Sequence, residues 1–172
     1  MAAAGKKALL LGVGNLLLND EGIGVRVVEE FDRRYDTPEL DIIDGGTAGM
    51  ELLDDLADRP LVVIVDCLKS KDPAGTVKWL EDEQVPKFFS RKLSPHQLGL
   101  SDVLSALIMT GEYPARLRLL GVVPQSIDTE IGLTALLAGR KEEMVEQLRA
   151  FFSEEEGLKV EQGTNTTMQL RI

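Results

Sequence analysis

The stretches 7–13 (KALLLGV) and 61–65 (LVVIV) are apolar at almost every position, with no alternation of polar and apolar residues. A strand with one face in water alternates, whereas a strand apolar throughout is covered on both faces, as in a parallel sheet flanked by helices. Shorter strands are expected at 40–43, 76–80 and 117–123. Between them the apolar period lengthens to that of a helix. Residues 21–34 place Ile23, Val27, Val28 and Phe31 on one side, and 47–56 turn Met50, Leu53 and Leu56 inward. Leu100, Val103, Leu104, Leu107 and Ile108 recur at helical spacing up to Gly111, and 141–152 directs Val145, Leu148 and Phe152 inward. Strands alternating with helices predict an α/β fold: three layers, a mostly parallel twisted sheet of about five strands, helices on both faces.

The chain of 172 residues fits a single domain. Its core is expected over about 7–155, and the mixed polar tail 157–172 receives no assignment. Turn chemistry sets the boundaries. Asp72-Pro73-Ala74-Gly75 is a turn by composition. Ser94-Pro95-His96-Gln97 has a capping Ser, Pro at the first helical position and Gln three residues after Ser, which is a capping box.

Charge excludes one class of partner. Nineteen Lys and Arg against 29 Asp and Glu leave a net charge of −10, where nucleic-acid binding needs a basic face. One cysteine, Cys67, rules out an internal disulfide framework or a multi-Cys metal site, and one histidine, His96, rules out a His/His site within the chain. The apolar start resembles a secretory signal only superficially, because Gly12, Gly14 and Asn15 interrupt it and Asn19-Asp20-Glu21 closes it. No run approaches the roughly 20 apolar residues of a membrane span. A soluble cytoplasmic protein without a membrane partner is expected.

In sheets of this kind ligands bind at the carboxyl ends of the strands. Three polar residues fall there: Glu21 after the first strand, Asp66 directly after the 61–65 strand, and His96 at a helix start. Two carboxylates and an imidazole suit Zn, Ni, Mn or Fe and leave coordination positions open. The bland alternative is a first-turn acid favoured by the helix dipole and a solvated first-turn histidine. Helix N-termini would hold both Glu21 and His96 deprotonated.

Gly12-Val13-Gly14-Asn15 invites a dinucleotide reading, but Leu17 stands where the third glycine is required and Asp20-Glu21 would repel a pyrophosphate. Cys67 should point away from any cleft that Asp66 faces, since successive strand residues alternate. Asp44-Gly45-Gly46-Thr47 is a tight strand-to-helix turn or a place of close backbone approach.

Five ordered segments together resemble the NiFe-hydrogenase maturation proteases, and most closely their HybD-type branch. They are Gly12 through Gly24 (GVGNLLLNDEGIG), Asp44 through Leu53 (DGGTAGMELL), Asp66 with Pro73-Ala74-Gly75-Thr76, Ser94 through Leu104 (SPHQLGLSDVL), and Leu120 through Pro124 (LGVVP). The resemblance spans about 7–150. It implies an endopeptidase that removes the C-terminal extension of the hydrogenase large-subunit precursor after nickel insertion. By motif it carries the metal contacts to Glu21, Asp66 and His96, with roles in hydrolysis unresolved between an aspartic-type and a metal-assisted mechanism. It also implies a substrate-lining role for Asp44, Gly45 and Gly46. The implied metal is nickel presented by the precursor, with zinc or another divalent ion able to occupy the site. A non-catalytic nickel-binding assembly chaperone using the same three residues is the alternative. Either reading requires three side chains far apart in sequence to meet in space.

Overall fold

A computed structural model describes residues 5–91 and 95–163. The elements run β1 (Ala8–Val13), α1 (Ile23–Arg34), β2 (Tyr35–Asp36), β3 (Leu40–Gly46), α2 (Leu53–Leu56), β4 (Val62–Cys67), β5 (Val77–Glu81), α3 (Gln84–Phe89), α4 (Pro95–Thr110), β6 (Leu117–Val122), α5 (Ala135–Ala150) and β7 (Glu161–Gln162). One sheet has the order β3-β1-β4-β6-β5. Its first four strands are parallel and β5 closes one edge antiparallel to β6. The small pair β2–β7 ties part of the 157–172 tail back to the end of α1.

Alternation along the strands divides the core. Leu10, Val63, Val65, Cys67 and Val122 pack with the inward residues of α1 and α5. Leu9, Leu11, Val62, Ile64 and Leu119 pack with those of α2, α3 and α4 on the opposite face. The central strands β1 and β4 are buried at every position, which is why they read as unbroken apolar runs. Each fully buried Leu or Val side chain contributes about 1.5–3 kcal/mol of transfer free energy.

Two glycines seat α1 against the sheet. A Cβ on Gly24 would lie 2.1 Å from the Val65 carbonyl oxygen and 2.3 Å from that of Val13. Gly14 takes φ +141, and a Cβ there would lie 1.9 Å from the Glu21 carbonyl oxygen. The glycines of the first motif thus serve helix-on-strand packing and the tight return of the loop carrying Glu21.

Several local expectations are corrected. The helix at 47–56 is only a 3-10 turn (Met50–Leu52) followed by the single turn α2, and Met50 points outward at 51% exposed. Ile108 also lies on the open side of α4. The closing helix starts at Ala135 rather than 141, because the Thr134 side chain caps it by accepting from the Leu137 N–H. The short helix α3 was not anticipated. Ser94, the expected cap of α4, lies outside the described residues. Among the described residues no helix is long and apolar enough to cross a membrane.

Candidate functional site

Asp66 is not beyond the strand but its penultimate residue, in β4. It shares the face of Val62 and Ile64, which α4 covers, while Cys67 turns to the α1–α5 side. Burial first, and then the charges of Asp66 and Glu21, push the Cys67 thiol well above its ordinary pKa, so it carries no thiolate. Glu21 sits in a 3-10 turn (Asn19–Gly22) that leads into α1. His96 is the second residue of α4. All three side chains lie at the carboxyl edge of the parallel strands, and all three are buried.

They meet at the imidazole ring. His96 Nδ1 lies 3.2 Å from Glu21 Oε1, and His96 Nε2 lies 3.3 Å from Asp66 Oδ2 and 3.4 Å from Asp66 Oδ1. A neutral imidazole carries one N–H and would turn a lone pair toward one of these carboxylates, so the geometry calls for the doubly protonated ring. Burial disfavours the charged ring, but hydrogen bonding and charge from Asp66 and Glu21 outweigh it and push the His96 pKa to about 9. This reverses the expectation that a helix N-terminus keeps His96 deprotonated: the dipole effect of about 0.3–1 kcal/mol loses to two adjacent carboxylates. Nor is His96 a solvated first-turn residue.

Asp66 has two further partners. Gln97 Nε2 donates to Oδ2 at 2.8 Å and to the Cys67 carbonyl at 3.2 Å, and the Cys67 N–H donates to Oδ1 at 2.7 Å. Burial raises the Asp66 pKa, against the lowering action of His96, Gln97 and the Cys67 N–H. Because both neighbours of the Gln97 terminus are acceptors, that terminus is the amide NH2. Sequence reasoning singled out Gln97 only as part of a capping box; its packing beneath Asp66 has no local signature.

The loop bearing Glu21 is pinned from behind. Asp20, fully buried, accepts from the backbone N–H groups of Gln125, Ser126 and Thr134 at 2.9–3.1 Å and from Thr134 Oγ1. Asn19 Nδ2 donates to the Gly132 carbonyl at 2.8 Å. The segment between β6 and α5 is thereby fastened to the turn that carries Glu21. Asp44 is exposed, and its Oδ1 accepts from the Gly46 N–H at 2.9 Å, holding the turn at the end of β3. The Gly46 carbonyl accepts from Gly14 N at 2.8 Å, so Asp44-Gly45-Gly46 borders the same loop without entering the His96 cluster.

Chemically, the cluster brings two acidic side chains and one imidazole together in a buried setting. The donors are two oxygens and a nitrogen, which suit a borderline divalent ion. The ring lies between the carboxylates, so the three donors do not share one central gap; among the described residues no three His, Cys, Asp or Glu side chains do. A cation entering here must displace the ring proton and turn the imidazole.

This arrangement, an α/β sheet with a buried acid–histidine–acid cluster at its carboxyl edge, has the place and chemistry of a ligand or catalytic site, and comparison with known proteins gives its class. Residues 25–150 match the HycI family of hydrogenase maturation proteases. The chain is 53% identical over 150 residues to the hydrogenase 2 maturation protease of Escherichia coli K12, covering 86% of this chain and 92% of that protein. It is 42% identical over 122 residues to the hydrogenase expression/formation protein HupD of Thiocapsa roseopersicina, covering 70% of this chain and 55% of HupD. The solved structure of the hydrogenase maturating endopeptidase HybD from E. coli superposes with a TM-score of 0.88 at 48% identity, over 93% of this chain and 99% of that one. The chain belongs to the hydrogenase maturation protease family and is a peptidase.

Proposed function

We propose that this protein acts in the cytoplasm as the endopeptidase that removes the C-terminal extension of a NiFe-hydrogenase large-subunit precursor once nickel has been inserted. The observation that carries the reading is the placement of His96 between Glu21 and Asp66 at the carboxyl edge of the sheet. In this reading the nickel belongs to the substrate. The ion, held by the precursor, takes the place of the imidazolium proton charge: Glu21 and Asp66 contribute oxygens, and His96, deprotonated and turned, contributes a nitrogen. Zinc or another divalent ion fits the same donor set. A precursor lacking nickel offers nothing to displace that proton, so the enzyme senses loading directly.

Hydrolysis then requires a base for the attacking water and a proton for the departing amine. One carboxylate, Asp66 or Glu21, takes the water proton as the C–O bond forms and, as the resulting carboxylic acid, gives it to the amine nitrogen as the C–N bond breaks. Asp44, Gly45 and Gly46 line the approach of the extended tail. A protein-sized substrate is supported by exposed apolar side chains around the same edge: Leu16, Leu17, Met50, Leu98, Ile127 and Ile131.

Incubation with nickel-loaded and nickel-free precursor tests the proposal. A mass loss in the loaded precursor alone is the expected result. Equal cleavage of both forms overturns nickel sensing, and tight association without cleavage makes the protein an assembly chaperone instead.

A further inference from the structure

Beside the cluster, where the chain leaves β4, lies a cavity of about 370 Å3. Its walls carry four cationic side chains, Lys69, Lys78, Lys87 and Arg91, over a floor that includes Leu68 and Leu80, and no acidic residue lines it. In a chain with 29 acids and 19 bases this is a marked inversion of charge. Lys78 pairs with Asp72 across the rim. Lys69, Lys87 and Arg91 make no ion pair among the described residues.

The cavity begins within two residues of the site along the chain. Leu68 and Lys69 follow Asp66 by two and three residues, which places the Lys69 Cα at most about 11 Å from that of Asp66. Gln97, which holds Asp66, also holds the Cys67 carbonyl at 3.2 Å, and the Leu68 N–H donates to the Val122 carbonyl at 2.7 Å. The Leu68 edge of the cavity is therefore fixed relative to the cluster. Three or four residues of extended peptide cover the distance between them.

We propose that this cavity receives carboxylate groups of the substrate segment on the carboxyl side of the scissile bond. The inference rests on the peptidase reading above. Every C-terminal segment carries one carboxylate at its end and further ones at any Asp or Glu. Ammonium and guanidinium groups attract these groups from solution and orient the tail leading away from the cut. The apolar floor covers aliphatic parts of the same segment.

The test is steady-state processing of nickel-loaded precursor by the full-length protein and by Lys87→Glu/Arg91→Glu and Lys69→Gln/Arg91→Gln variants. The reversal variant should raise KM about tenfold with little change in kcat, and the neutral variant less, since exposed pairs are individually weak. Added salt should raise KM for the unaltered protein and not for the reversal variant. Synthetic tail peptides with a free or amidated C-terminus, and with Asp and Glu replaced by Asn and Gln, serve as competitive inhibitors. Weaker inhibition by the amidated peptide assigns the terminal carboxylate, and weaker inhibition by the side-chain-neutral peptide assigns the side chains; either supports the proposal. Unchanged KM in both variants, with the unaltered protein cleaving normally, overturns the proposal and leaves the peptidase reading intact. Failure of the unaltered protein to cleave overturns the peptidase reading itself.

Discussion

Gln97 Nε2 donates to Asp66 Oδ2 at 2.8 Å, so the residue next to His96 on α4 grips the carboxylate that His96 also faces. Two consecutive helix residues thus hold one strand acid from two directions. Replacing Gln97 with Leu leaves Asp66 one buried hydrogen bond short, at a cost of about 1–3 kcal/mol. The expected outcome is a lower urea midpoint together with a fall in kcat, because Asp66 loses its fixed orientation. An unchanged kcat would make Gln97 structural alone.

Removing the imidazole has a larger effect. His96→Ala leaves Glu21 and Asp66 buried at the site without their cation, which costs about 3–5 kcal/mol at neutral pH, as when one partner of a buried pair is deleted. Processing of nickel-loaded precursor should be lost. His96→Gln, which fills more of the space and keeps a donor, should fold better and remain inactive. Cleavage retained by a folded His96→Gln variant would remove His96 from the mechanism.

The raised pKa of His96 fixes the sign of two pH effects. Its folded value of about 9 exceeds the ordinary 6.5, so its contribution to stability is complete below about 6.5 and is lost as pH rises through about 9. The difference in melting temperature between the unaltered protein and His96→Gln should therefore narrow from pH 6 to pH 9.5. Uptake of a divalent ion by the isolated protein releases that proton, and its affinity should strengthen up to tenfold per pH unit below about 9. Calorimetry in buffers of different ionisation enthalpy counts the proton.

Asp20 is fully buried, and its carboxylate accepts from backbone and hydroxyl donors of the segment between β6 and α5. Asp20→Ala strands three backbone N–H groups, of Gln125, Ser126 and Thr134, and the Thr134 hydroxyl, and should cost about 3 kcal/mol or more. Hydrogen exchange should accelerate first at those three amides, before the central strands β1 and β4 respond. A uniform acceleration across the sheet would instead mark Asp20 as part of the global folding unit.

Gly24→Ala pushes a methyl group onto the Val65 and Val13 carbonyl oxygens, neither of which can retreat without moving a central strand. A loss of about 3 kcal/mol is expected. The entry of α1 shifts with it, and Glu21 lies three residues upstream, so kcat should fall as well. Denaturant melts and processing assays on one preparation separate the two effects.

The sheet was legible where burial on both faces left β1 and β4 without polar interruption. It was less legible where turn chemistry competed. The short α3 contains Pro86 and spans only six residues, too few for a helical period to show, and the closing helix begins earlier than 141, at the Thr134 cap. The 47–56 segment looked helical by period, yet Gly49, with φ −120 and ψ −105, stands outside the helical region, and a 3-10 turn and only one α-helical turn follow. At the site, strand-end position picked out Glu21, Asp66 and His96, and the structure brings their side chains into contact. What position could not disclose was the charge state of His96, since both carboxylates that set it arrive from distant segments. The same distance concealed Gln97, and Asp20 looked like loop punctuation because its partners lie more than a hundred residues away.

The three groups of the cluster come from the loop after the first strand, from the third parallel strand in chain order and from a helix 30 residues beyond it. No fragment ending before α4 owns them all. In the function proposed above, cutting is therefore possible only once the fourth helix has joined the sheet and brought His96 between the two acids.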